Sequence, residues 1–307
     1  MDYRRLLLDN IWKEYRKASM TTVNKINAEA ANIARDLQLD DRIGAMALKS
    51  SFLTVKDHKQ DWPAKVNCRL INPTKTNIGV ISKNILDRIN SDLRNKLEIN
   101  QWRSSKNVLK WFSSLKDKRS LKFLKFDVEQ YYPSITKPLM EKAINFAKQH
   151  TSISAQEEMI LFHARKNVLM DCDCNIWEKI SNPDFDVSMG SMDGAEVAEL
   201  IGIYMISKLI MQFKKFIFGI YIDDGLMVVK GGGPEVDRAR KEVISIFLKE
   251  DFRITIECNS RCVDFLDFVM DQSSDSTRPF IKPNSNTKYV STSSSHPPDI
   301  IISIPEL

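Results

Sequence analysis

The stretch that most constrains this chain is 215–230, KFIFGIYIDDGLMVVK. Two runs rich in β-branched and aromatic residues flank one acidic, glycine-containing break. That is the pattern of an antiparallel hairpin, with Asp223-Asp224-Gly225 expected at its turn. A second β-rich run, LKFLKFDV at 121–128, also closes on a carboxylate, Asp127. Pairing in one antiparallel sheet would bring these acids together, and paired carboxylates bind hard cations through oxygen. Two such ions, about 3.5–4 Å apart, activate an attacking hydroxyl and stabilise a leaving phosphate oxygen. Phosphoryl transfer needs little else beyond positioning and charge neutralisation. Asp-Asp-Gly is also an ordinary turn sequence, so the reading depends on what surrounds it.

Around these strands the pattern alternates between helical and extended periods. Residues 1–50 read as amphipathic helix. SFLTVKDHK and CRLINP form a hairpin around a polar loop with Pro63, and helices are expected over 81–97 and 107–118. A helix with Pro138 in its first turn follows the Asp127 strand. Another is expected over 154–170, then a polar connection over 171–187 and a strongly helical segment over 194–213. A turn at Gly231–Pro234 starts a further helix, FRITIE and FLDFVMD read as strands, and 273–299 reads as an exposed connection. Helices and strands mix without a regular βαβ period, which argues for an α+β fold.

Composition sets the limits. With 307 residues, 43% of them hydrophobic, the chain can bury a sizeable core. The net charge of +5 permits a polyanionic partner without demanding one, although basic residues cluster before Asp127, from Lys106 to Lys125. Five cysteines, widely spread, suit a reducing compartment better than a disulfide framework. Cys172, Cys174, Cys258 and Cys262 have poor spacing for zinc and no histidine pair beside them. No secretory signal and no membrane-length apolar run are visible, so a soluble protein of the cytoplasm or nucleus is expected, without membrane partners.

FDVEQYYPSI (126–135) followed by YIDDGL (221–226) resembles motifs A and C of reverse transcriptases. The resemblance implies that Asp127 and Asp223 bind two Mg²⁺ ions, with Mn²⁺ as a substitute. It implies that the Val128 carbonyl is a further ligand and that Asp224 assists catalysis or holds the geometry. It places Tyr132 under the sugar of the incoming nucleotide, where a ring fills the space of a 2′-hydroxyl. Tyr131 is the expected core residue of that pair. TVKDHK and CRLINP resemble the family's fingers motifs, so Lys56 and Arg69 are implied as triphosphate ligands, a point charge and a fork. Lys59 stands as the alternative to Lys56, and as a nucleic-acid contact.

VSMGSMDGAE (187–196) stands where motif B belongs, and Gly190 would let the backbone approach the template–primer base pair. The stretch departs from the family's Gly-Ser-Pro pattern, and Asp193 with Glu196 reads as a helix capping box. VDFLDFVMD resembles the hairpin that steadies the primer end. YVSTSSSHPPDIIISIPE, with His296 before Pro297, resembles a segment of Penelope-like retroelement enzymes.

The implied organisation is a right-hand polymerase. A helical extension (1–50) precedes fingers (51–120), palm with motif A (121–150) and a fingers connection (151–187). Palm with motifs B and C (188–272) and a connection (273–307) towards an absent or truncated thumb complete it. The implied partners are an RNA or DNA template, a DNA primer and deoxynucleoside triphosphates. Weak duplex grip is expected without thumb contacts. The competing readings are an inactive nucleic-acid-binding remnant and an RNA-dependent RNA polymerase, with an unrelated metal hydrolase a distant fourth.

Overall fold

The computed structural model describes residues 2–38, 44–56 and 64–280. Its N-terminal part comprises α1 (Tyr3–Ile11), β1 (Tyr15–Ala18), α2 (Met20–Asp36), β2 (Phe52–Val55) and β3 (Cys68–Ile71). Helices α3 (Asn77–Leu97) and α4 (Ser105–Ser114) and a 3₁₀ turn (Lys118–Ser120) lead into β4 (Leu121–Val128). Then come α5 (Tyr131–Ser134), α6 (Lys137–Lys148), α7 (Ala155–His163), β5 (Leu169–Met170), β6 (Ile176–Lys179) and α8 (Gly194–Ile210). The rest is β7 (Phe218–Tyr221), β8 (Asp224–Lys230), α9 (Gly233–Leu248), β9 (Ile254–Ser260), β10 (Cys262–Phe265), β11 (Phe268–Asp271) and β12 (Ser276–Pro279).

The acid-bearing strands form one antiparallel sheet in the order β7-β8-β4-β9. Alternation of side chains across β4 divides its contacts between two faces. Leu124, Phe126 and Val128 enter the main core with residues of α3, α6, α8 and α9. Leu121 and Phe123 enter a second core with Trp102, Trp111 and Phe112 beside α4, and with Val263, Phe265 and Met270 of the β10-β11-β12 sheet. The register shifts between Phe123 and Leu124 against β9, an irregularity that re-aims the strand just before its acidic end. Helix α8 is apolar nearly all round, as a helix enclosed by protein must be, and twelve of its residues are buried. Among the described residues no helix is long and apolar enough to cross a membrane.

Several expectations are corrected. The helix expected over 154–170 stops at His163, because Val168 and Leu169 leave it for β5 and the core. The connection 171–187 contains β6, which pairs with β1 from the N-terminal region; residues 1–50 are therefore not all helix. FLDFVMD is not one strand: Phe265 pairs with Phe268 across a two-residue loop, with Leu266 at φ 52°. The described part of 273–299 includes β12.

The Asp223–Gly225 turn is also shifted. Tyr221 pairs with Asp224, so the loop residues are Ile222 and Asp223, and Asp224 and Gly225 already belong to β8. Glycine is needed at 225 for proximity rather than for turning. A Cβ there would lie 2.0 Å from Cζ of Phe126, whose ring is enclosed beside Phe247. Gly225→Ala is expected to cost about 1–3 kcal/mol or more in urea unfolding, the scale of an overpacked core. Phe126→Leu in the same chain should recover part of that loss, and an unchanged unfolding midpoint for Gly225→Ala would refute the clash.

Candidate active site

The site assembles at one end of the sheet. Asp127 pairs directly with Asp224 on one side and with Thr255 on the other, while Asp224 pairs with Tyr221. Paired residues share a face, so Tyr221, Asp224, Asp127 and Thr255 form one row across four strands. Asp223 sits in the loop above this row, and its carbonyl accepts from the Val128 N–H at 3.0 Å. The β7–β8 loop is strained. Ile222 has φ 55°, at the position where a two-residue hairpin usually carries glycine. A β-branched residue there costs on the order of 1–3 kcal/mol, and such strain gathers where geometry serves a purpose.

Electrostatics tie the loop to the hairpin β2–β3. Burial pushes the Asp223 carboxyl above its ordinary range and Asp127 raises it further, while Arg69 and Lys56 oppose the shift. Lys56 follows β2, and its N–H donates to the Asn67 carbonyl at 2.8 Å; Arg69 lies in β3 opposite Thr54. Lys56, Arg69 and Tyr132 all line one cleft of about 400 Å³, together with Gln130 and the 187–189 segment. Lys59 and His296 lie outside the described residues.

The two tyrosines of α5 differ in burial. Tyr131 is buried and donates to the Ala198 carbonyl at 2.8 Å. Tyr132 is half-buried at the cleft wall, its ring packed edge-on to Tyr131.

Gly190 has φ 96°, and a Cβ there would lie 2.6 Å from the Asn72 carbonyl oxygen. The close approach in this structure is thus to the chain's own β3 end, where the Asn72 N–H donates to the Met189 carbonyl at 2.8 Å. The capping box is overturned. Asp193 does precede α8, but its side chain makes no cap. It pairs with Arg165 and accepts from Ser82, all three residues being buried; Glu196 pairs with Lys83 instead. Buried ionic partners outcompete the local cap because Asp193, 1% exposed, cannot remain an unpaired charge.

Sequence reading missed the N-terminal contribution. Lys13, Glu14 and Tyr15 line the cleft, with Lys179 and Asp186 opposite. Tyr15 donates to Asp186 at 2.8 Å, and Lys179 pairs with Glu14. Burial holds the Asp186 carboxyl above its usual range, against the pull of Lys179. No periodicity announces these contacts, which follow from β1–β6 pairing across more than 150 residues of chain. Cys68, Cys172, Cys174, Cys258 and Cys262 are not joined in disulfides. Among the described residues no three His, Cys, Asp or Glu side chains form a closed metal cage.

No family model and no curated protein sequence matches the chain. Solved structures do. Telomerase from Candida albicans, in complex with a TWJ fragment of telomeric RNA, superposes with a TM-score of 0.63 at 14% identity. That match covers 92% of this chain and 50% of that one. The chain has a nucleic-acid polymerase fold. Apo telomerase from Candida tropicalis, truncated from its C-terminal domain, gives a TM-score of 0.55 at 10% identity, covering 83% and 60%. The RNA-dependent RNA polymerase of a human picobirnavirus gives 0.55 at 10% identity, covering 74% and 45%. The chain therefore spans about half the length of the solved polymerases it matches. Telomerases and viral RNA polymerases share this polymerase fold with the chain, so the fold alone does not choose a substrate.

Proposed function

We propose that the chain is the catalytic core of an RNA-directed DNA polymerase of a retroelement, with fingers on β2–β3 and a palm on the β7-β8-β4-β9 sheet. The observation that carries this reading is the registered pair Asp127–Asp224, with Asp223 in the loop above. The charges of Lys56 and Arg69 act on that loop from a cleft walled by Tyr132. The reaction joins a primer 3′-oxygen to the α-phosphorus of a deoxynucleoside triphosphate and releases pyrophosphate. Lys56 and Arg69 hold the triphosphate, and their position beside Asp223 sets it against the acidic row. Tyr132 occupies the space beneath the sugar and disfavours a 2′-hydroxyl. Tyr131 fixes α5 to α8 and so keeps Tyr132 in place.

The donor set suits Mg²⁺, which is held by one or two carboxylates with substrate phosphates completing the shell rather than by an all-protein cage. Asp127, Asp223 and the Val128 carbonyl would hold two such ions, which supply charge neutralisation and hydroxyl activation when bound. Asp224, in the row rather than in the loop, would keep the pair in register. An RNA template fits the telomerase and viral RNA polymerase neighbours, and a DNA product follows from Tyr132.

Primer extension on an RNA template tests the reading. The parent is expected to extend a DNA primer with deoxynucleotides and Mg²⁺. Tyr132→Ala should keep deoxynucleotide use and relax discrimination against ribonucleotides by at least about tenfold, the scale set by one steric contact. Preference of the parent for ribonucleotides would favour an RNA-dependent RNA polymerase instead. Nucleic-acid binding without any extension, also in a longer chain, would favour a remnant.

A further inference from the structure

Behind the row of Tyr221, Asp224, Asp127 and Thr255 runs a second row on the same face of the sheet. Gly219, Leu226, Lys125 and Glu257 form it. It lies about 7 Å back along β4, two residues from the carboxylates. The β10–β11 hairpin packs here. Phe265 and Met270 join Leu226 in the second core, and Phe265 meets the Trp102 ring edge-on at 5.7 Å. Trp102 in turn lies against Gly219, where a Cβ would be 2.5 Å from the indole.

Lys125 interrupts this apolar contact. Leu121 and Phe123, on the same face of β4, are buried in the second core, whereas the Lys125 side chain is 20% exposed. Its ammonium donates to Asp264 of β10 at 3.0 Å, although Glu257 stands directly opposite on β9. At the hairpin's two-residue loop, Asp267 accepts from Ser105 at the start of α4. The hairpin is therefore seated on apolar side chains and tied once to β4 and once to α4. The tie to β4 is made two residues from Asp127.

In-line displacement places the attacking and leaving oxygens on opposite sides of the phosphorus. The cleft of Lys56 and Arg69 opens past one side of the acidic row, towards Gln130 and Tyr132. The primer 3′-oxygen accordingly arrives from the other side, over Lys125 and the end of the hairpin. We infer that Lys125 is a positioning residue for the primer terminus: through Asp264 it fixes the β10–β11 hairpin against the acidic row, where the primer strand leaves the carboxylates. This rests on the polymerase reading.

Plain charge and positioning predict different results. Lys125→Met removes a cation and Asp264→Asn removes an anion. Attraction to a polyanion alone would weaken binding in the first and strengthen it in the second. Loss of a shared tie moves both the same way. The full chain is titrated, in Mg²⁺ without nucleotide, into a DNA primer on an RNA template with 2-aminopurine as the primer's 3′-terminal base. The parent is expected to change the 2-aminopurine emission saturably. Lys125→Met and Asp264→Asn should each weaken binding about fivefold to tenfold and lose most of that change at saturation, with the double variant no worse than either single. Lys125→Arg, which keeps the charge that pairs with Asp264, should retain the parent's signal. Melting temperatures should match the parent closely, because a partly exposed ion pair adds little stability. Tighter or unchanged binding in Asp264→Asn, additive losses in the double variant, or an equal fall in melting temperature and affinity overturns the inference. A parent that shows the emission change, with both variants losing it, supports the inference even if it incorporates no nucleotide, a result that counts against the polymerase reading alone. A parent that binds no primer–template overturns both.

Discussion

Asp223→Asn is expected to abolish incorporation while raising the melting temperature of the metal-free chain. The loss should be on the order of a thousandfold or more, the scale on which one essential charge-stabilising group registers. The gain in stability follows from the same environment. Burial and Asp127 push the Asp223 carboxyl above its ordinary range in the folded state, so the folded chain holds its proton more tightly than the unfolded one. Below the ordinary Asp value of about 3.9 both states are protonated and the group contributes nothing. As pH rises through the raised folded value, the unfolded state gains from ionisation and stability falls. In EDTA the variant should therefore melt above the parent at pH 7, and the difference should shrink as pH approaches 4. Saturating Mg²⁺ should reverse the order, because the ion binds the parent's folded state and stabilises it by mass action. If the variant melts lower in EDTA at pH 7, Asp223 is held by favourable partners and the strained, desolvated picture fails.

Arg165→Met should be the most damaging substitution for folding, costing about 3–5 kcal/mol in urea unfolding by leaving Asp193 charged and alone. Arg165 is 0% exposed and Asp193 is 1% exposed, so water cannot replace the lost partner. Ser82 supplies one hydrogen bond to Asp193, too little to compensate for a buried carboxylate. The pair itself need not be a large net source of stability, since Nε and Nη1 of Arg165 lack partners. Arg165→Met/Asp193→Leu should accordingly recover most of the loss. What the pair secures is position: it ties the end of the 188–193 segment to the turn after α7, Ser82 ties the same carboxylate to α3, and the Met189 carbonyl ties the segment's start to Asn72. A loss below about 1 kcal/mol for Arg165→Met would mean that the surroundings rearrange to solvate Asp193.

The acidic strand ends were legible from local pattern. Alternating β-branched runs around Asp223-Asp224-Gly225, and a β-run ending on Asp127, are signals that operate within a dozen residues. The hairpin of β2 and β3, with Arg69 on its second strand, was legible for the same reason. The loop register was not. Asp-Asp-Gly is the better turn sequence, yet Gly225 is drawn into β8 by the Phe126 ring and Ile222 takes the left-handed position. The Asp193–Glu196 capping box was a sound local reading that failed against Arg165 and Lys83, residues 28 and 113 positions away.

By itself, then, the sequence determined an α+β chain with carboxylates at paired strand ends, because strand propensity and side-chain alternation are short-range properties. Only the tertiary structure decided that Asp224 rather than Asp223 stands in the row with Asp127. It alone brought the N-terminal strand to the cleft. Those outcomes depend on burial and on pairing between distant segments, where desolvation outweighs any local preference.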